Sequence, residues 1–159
     1  RWTSLDAFLF QRVTVDVEGG KALLAMLRRN KDLTHVQLGY LAGLDAAATG
    51  GLVMTLNKLD KLKIASLVDA AADFSVNGAD LAKLLALPDI TTVILKQIDQ
   101  PPFTSSVCQA LVEALPDASD TFKFLNFNSA NSCTEEQKDK LRTEGRAKGV
   151  IISGLGPPS

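Results

Sequence analysis

The chain has one histidine, one tryptophan, one tyrosine and two cysteines among 159 residues, and each scarcity closes a route. A thiol–imidazole dyad would have to join His35 to Cys108 or Cys133, both far away along the chain. Metal-ligand spacings of the H-E-x-x-H or C-x-x-C kind do not occur. Neither does a phosphate-cradling G-x-x-x-x-G-K-[ST] or G-x-G-x-x-G; Gly149-Val-Ile-Ile-Ser-Gly154 has no lysine and no helix after it. Asp69, Asp73 and Asp80 straddle a turn and a helix start, where capping and solvent account for them better than a metal. The expectation is a chain without cofactor or metal and without enzymatic activity.

Long runs are missing too. No stretch of five or six Lys/Arg exists, and 17 basic against 18 acidic residues leave a net charge of −1, so no phosphate-binding footprint is present. The densest basic stretch, Lys138 to Lys148, is interleaved with acids from Glu135 to Glu144 and reads as a solvated helix face. No apolar run of membrane-spanning length, no signal peptide and no N-x-[ST] sequon occur. Neither nucleic acid nor membrane insertion is expected. Cys108, set among Val107, Leu111, Val112 and Leu115, reads as a buried free thiol, and the expected location is intracellular, with the cytoplasm favoured. The sequence begins at Arg1 rather than Met, which leaves room for an upstream targeting segment or for preceding repeats.

What the chain does have is a repeat. The hexad Leu33-Thr-His-Val-Gln-Leu38 follows the pattern L-x-x-L-x-L, and related hexads begin at Phe10, Leu62, Ile90, Phe122 and, in degenerate form, Ala147. A recurrence every 20–50 residues marks a repeat architecture. Each hexad predicts a strand (12–17, 34–38, 63–68, 91–96, 122–127 and 150–152). The segments between predict helices at about 21–30, 46–58, 77–87, 105–115 and 135–147. Pro88 and Pro116 end two of them, and Thr134-Glu-Glu-Gln137 is a capping box. Residues 1–11, with Trp2, Phe8, Leu9 and Phe10, read as an N-terminal cap over a domain of residues 12–153, and 154–159 as a disordered tail. Strand–helix alternation makes the strands parallel with right-handed crossovers, strands lining a concave face and helices a convex one.

With Ile90-Thr-Thr-Val-Ile-Leu95, Asn77-Gly-Ala-Asp-Leu-Ala-Lys-Leu-Leu85 and Leu141-Arg-Thr-Glu-Gly-Arg-Ala-Lys-Gly149, the hexads make residues 8–155 resemble leucine-rich repeat proteins of the ribonuclease-inhibitor-like class. That class includes nucleotide-binding leucine-rich innate immune receptors, tropomodulin-like actin-capping proteins and the Ran GTPase-activating proteins. The resemblance implies an α/β fold, a short right-handed solenoid of about five strand–helix repeats, and a protein-binding concave face. The family sets an Asn or Cys three residues after the last strand leucine; Leu41, Ala70, Ile98 and Ala130 stand there instead, so that ladder is missing. A second resemblance covers residues 33–95, to the sulfate-transporter/anti-sigma-factor-antagonist-like domains. Asp45 is followed by Ala46 rather than the serine that their phosphoswitch needs, and the later units go unexplained.

Strand alternation aims the residues flanking each central apolar position at the concave face. One expected column is Arg12, His35, Ile64, Thr92 and Phe124. The next is Thr14, Gln37, Ser66, Ile94 and Asn126, and a third is Asp16, Gly39, Val68, Lys96 and Asn128. Arg12, His35, Gln37, Ile64, Val68, Ile94, Lys96, Phe124 and Asn126 are the candidate partner-binding residues, with Phe124 as anchor of an apolar group. A strand register displaced by one residue would bury the same side chains instead. The loop at Pro101-Pro102-Phe103 is a second candidate, although Phe103 is better placed to tuck beneath it. Three functions stay open: a recognition module, either part of a receptor or a scaffold subunit; a small α/β regulatory or enzymatic domain, which predicts a closed sheet with strand order unlike chain order and a pocket of convergent polar groups; and a purely structural linker.

Overall fold

The computed structural model describes residues 6–70, 74, 77–99, 102–128 and 133–156. The hexads form the strands β1 (Ala7–Thr14), β2 (His35–Ala42), β3 (Ile64–Val68), β4 (Thr92–Lys96), β5 (Phe124–Phe127) and β6 (Ile151–Ser153). They make one open sheet in which every neighbouring pair is parallel and strand order is chain order. The helices α1 (Val17–Arg29), α2 (Ala46–Leu56), α3 (Gly78–Lys83), α4 (Ser105–Ala114) and α5 (Glu135–Lys148) each link one strand to the next. Chain order is the arrangement that the antagonist-like alternative excludes.

Local chemistry sets the helix ends. Asp16 and Asp45 accept the N–H groups of Gly19 and Ala48 at 2.7 Å, and Thr134 with Gln137 forms the expected capping box. Gly149 closes α5 in the left-handed conformation. Within α2, Gly51 lets the helix come close to α1, since an added Cβ would lie 2.9 Å from a Leu24 methyl. Beyond α2 and α3 the chain descends through 3₁₀-type turns with an apolar residue at every third position: Leu56, Leu59 and Leu62, then Leu84, Leu87 and Ile90. These join the inward strand side chains and the apolar helix faces in one continuous core.

Successive units are clamped at the strand entry. The carbonyl of Asp6 accepts both Thr34 and His35 N–H groups, that of Thr34 accepts Lys63 and Ile64, that of Lys63 accepts Thr91 and Thr92, and that of Thr91 accepts Lys123 and Phe124. Thr34 and Thr91 add a hydroxyl bond to the same carbonyl across the junction. At the strand exits, Arg12, Tyr40 and Asp69 hold equivalent places with φ of 56°, 53° and 48°, a left-handed residue that re-aims the chain in three consecutive units.

The first unit departs from expectation. β1 begins at Ala7, so residues 7–11 belong to the sheet and not to a separate cap; residues 1–5 lie outside the described residues. Phe8 and Phe10 hold the places of Val36 and Leu38, and α1 starts at Val17, because Asp16 caps it with Gly19-Gly20 already in its first turn. At the other end Ile152 holds the place of Leu125, and Ala147 is exposed on α5 rather than opening a hexad. Of the expected disordered tail, Leu155 is buried in the core and Arg142 donates to the Gly156 carbonyl at 3.1 Å; residues 157–159 lie outside the described residues.

Two polar features differ as well. Cys108, expected as a free thiol, is not free: in α4 it forms a disulfide with Cys133, just before the α5 cap, which staples the fourth unit to the fifth. Such bonds persist in oxidising environments, so the free-thiol ground for a reducing compartment falls away. Asparagine-like bridging between units is present but shifted. Asp69, 1% exposed, accepts the Ile98 and Asp99 N–H groups at 2.7 and 3.1 Å, while Asn128 both accepts from and donates to the Gln97 backbone.

Asp69→Ala strands two backbone donors and is expected to lower stability by about 2–3 kcal/mol in urea titration; an unchanged midpoint would remove Asp69 from the junction. Reduction of the Cys108–Cys133 bond, which closes a loop of sequence separation 25, is expected to lower stability by about 3–4 kcal/mol. Neither thiol should alkylate in the native protein before reduction.

Candidate functional site

The side of the sheet opposite the helices carries the candidate residues. In β2 to β5 the inward positions Val36, Leu38, Ala65, Leu67, Val93, Leu95, Leu125 and Phe127 are fully buried. The intervening His35 is exposed, and Gln37, Ile64, Val68, Ile94, Lys96, Phe124 and Asn126 are half-buried. The strand faces are therefore as expected, and a one-residue slip is excluded.

Register turns these residues into rows. The first runs Ala7, His35, Ile64, Thr92, Phe124, Ile151; the second Leu9, Gln37, Ser66, Ile94, Asn126, Ser153; the third Gln11, Gly39, Val68, Lys96. Strands about 4.8 Å apart bring Ile94 between Ile64 and Phe124 on one side and Val68 on the other, a contiguous apolar group. Arg12 is not part of it. It does not stand beside His35, as Ala7 does; its guanidinium lies 5.7 Å from the centre of the Tyr40 ring at the strand exits. Thr14 and Asp16 drop out for the same reason. Leu9 (63% exposed) and Ile151 (67% exposed) join instead. Leu9 escapes the hexad pattern because Phe8 and Phe10, not Val13 and Val15, hold the places of Val36 and Leu38.

The polar members are simply arranged. The hydroxyl of Thr34 reaches both the Asp6 carbonyl, 2.8 Å away, and Nδ1 of His35, 2.7 Å away. Its single proton satisfies the carbonyl when the ring donates from Nδ1. Lys96 is the ammonium group on the rows, and no carboxylate stands on them. The perturbed titrations lie elsewhere: the hydrogen bond and charge of Asp32 raise Lys61, and those of Lys140 lower Glu136, both fully exposed. Phe103 is buried, 6.0 Å from Phe74 and 5.1 Å from Phe127 between ring centres, so it sits beneath its loop; Pro101 lies outside the described residues.

Among the described residues, chemistry-bearing groups do not converge. Asp69 is spent on backbone N–H groups, Asp80 pairs with Lys83, and Asp73 lies outside the described residues. Among the described residues no group of three His, Cys, Asp or Glu side chains is placed to hold a metal, and no helix is long and apolar enough to cross a membrane. A groove of about 320 Å³ beside α3 and α4 is lined by Ala79, Ala82, Ala86, Ala110 and Ala114 together with Lys83, Glu113 and Asp117.

No family model and no curated protein matches the chain. Among solved structures it is similar to a mandelate racemase/muconate lactonizing enzyme from a marine actinobacterium. Identity is 15% over 91% of this chain and 47% of the enzyme, at a TM-score of 0.27. The chain thus spans about half of that enzyme, and a likeness this slight carries no argument about fold or activity.

Two neighbouring substitutions test the assignment of strand faces. Ile94→Ser, on the open side, is expected to cost about 1 kcal/mol. Val93→Ser, which buries a hydroxyl where Val93 is 0% exposed, is expected to cost about 3 kcal/mol or more. Equal losses in urea titration would mean that both faces are core.

Proposed function

We propose that the chain is a non-catalytic protein-binding module of the leucine-rich-repeat solenoid type, acting as the recognition part of a receptor or as a scaffold subunit. The observation that carries this is the open strand face, where Ile64, Val68, Ile94 and Phe124 form an apolar group that no described element covers. Strand order in chain order supports the solenoid. Strands repeat about every 4.8 Å while packed helices need 8–10 Å, so stacking such units bends the sheet with its strands on the inside. A curved apolar floor flanked by Lys96, Gln37 and Asn126 suits a protein surface that offers an apolar anchor and a nearby carboxylate. The intervals between hexads and the shifted bridges at Asp69 and Asn128 fit an irregular member of that class.

Affinity purification with the tagged chain, and in parallel with Phe124→Ala/Ile94→Ser, tests the reading. A stoichiometric partner lost by at least about tenfold in the double variant, with circular dichroism unchanged and a cooperative melt lowered only by the several degrees that the lost apolar burial costs, is the expected result. Retention of the same partner at full yield would move recognition off this face.

A further inference from the structure

Over β3, β4 and β5 the open face is ordered along the strands as well as across them. The residue just ahead of the first row is Lys63 in the third unit, Thr91 in the fourth and Lys123 in the fifth, so two exposed lysines flank β4 at its entry. Toward the exit, Lys96 stands on β4 itself, beside Val68. Between these ends lie Ile64, Ile94 and Phe124, and no carboxylate stands among them. None of the three lysines is ion-paired among the described residues, and Lys123 donates to the Asp120 carbonyl at 2.7 Å. Asp60 and Asp120 come before those lysines in the chain, back in the turns. Along β4 the chemistry therefore runs cation, apolar, cation, over about 17 Å from Thr91 to Lys96.

The backbone beneath this patch is already spent, because β4 pairs on both sides. Of the polar side chains in the first two rows here, Ser66 is buried, which leaves Thr92 and Asn126. An extended segment laid over the patch would hold its own N–H and C=O groups against apolar side chains without partners. Strand addition needs a sheet edge, and this is a face. A helix brings its backbone bonds with it. Resting on the reading of this face as a recognition surface, we infer that its occupant is one amphipathic helix of a partner protein, about 11 residues long, with acidic side chains toward both ends. In the bent sheet of that reading the face is a trough that runs along the strands, and a helix seats in it parallel to β4. Its apolar stripe rests on Ile94 between Ile64 and Phe124. Its acidic ends meet Lys63 and Lys123 on one side and Lys96 on the other.

Selection of random displayed peptides of about 12 residues on the whole chain tests this. Enriched peptides are expected to carry apolar residues at i, i+3 or i+4, and i+7, with Asp or Glu toward both ends. The strongest of them, synthesised, should gain helical circular dichroism on binding. Lys63→Glu/Lys96→Glu should weaken it by roughly tenfold, and Lys63→Gln/Lys96→Gln by less, in the same direction. Phe124→Ala/Ile94→Ser should weaken it by at least about tenfold. Alternating, proline-rich or basic binders, binding indifferent to lysine reversal, or no enriched peptide would each overturn the helix inference. Where such binders still need Phe124 and Ile94, the face survives as a recognition surface and only its occupant is wrong. Helical binders indifferent to Phe124→Ala/Ile94→Ser would remove the face and the inference together.

Discussion

A carbonyl that accepts two N–H groups from the next unit is the bond on which this architecture depends. It occurs at Asp6, Thr34, Lys63 and Thr91, always at the entry to a strand. Because it catches two adjacent residues, it fixes where the next strand starts, and so which side chains face inward. Everything after it follows from alternation. Val36, Ala65, Val93 and Leu125 line up at one level of the core, and Leu38, Leu67, Leu95 and Phe127 at the next. Across the junctions these levels join in one continuous core.

Much of this was legible from the sequence wherever the hexads were regular. Strands β2 to β5 and their inward residues could be read directly, as could the alternation of strand and helix and the capping box of α5. The terminal units misled for a definite reason. Val13 and Val15 imitate the spacing of Phe8 and Phe10, and the left-handed residue at Arg12 breaks the alternation on which such a reading rests. With β1 displaced, Arg12 moved from the open face to the strand exits, and Leu9 took its place on the face.

The polar devices were harder to see. Asp69 looked like a turn aspartate because its acceptors' partners, the Ile98 and Asp99 N–H groups, belong to the following unit. A backbone bond across units leaves no mark on side-chain pattern. The disulfide was missed for a related reason. Cys108 sits in an apolar helix face and Cys133 in a polar loop, and only the stacking of the fourth unit on the fifth brings them together. The L-x-x-L-x-x-L descent from α2 and α3, by contrast, was visible in the sequence, with Leu56, Leu59, Leu62 and Leu84, Leu87, Ile90 at equal intervals. It would have located the helix ends more closely than the hexads alone.

Because strand order is chain order, the strand-entry bonds of the sheet join residues about one unit apart, as from Thr34 to Lys63 and from Lys63 to Thr91. A unit can then be duplicated or deleted without re-threading the rest of the polypeptide, provided that its two junctions still match. Gene-level changes in unit number would lengthen or shorten the open face in steps of one strand. The sheet of this chain is in that sense a ruler whose length evolution can reset while its chemistry at each mark stays the same.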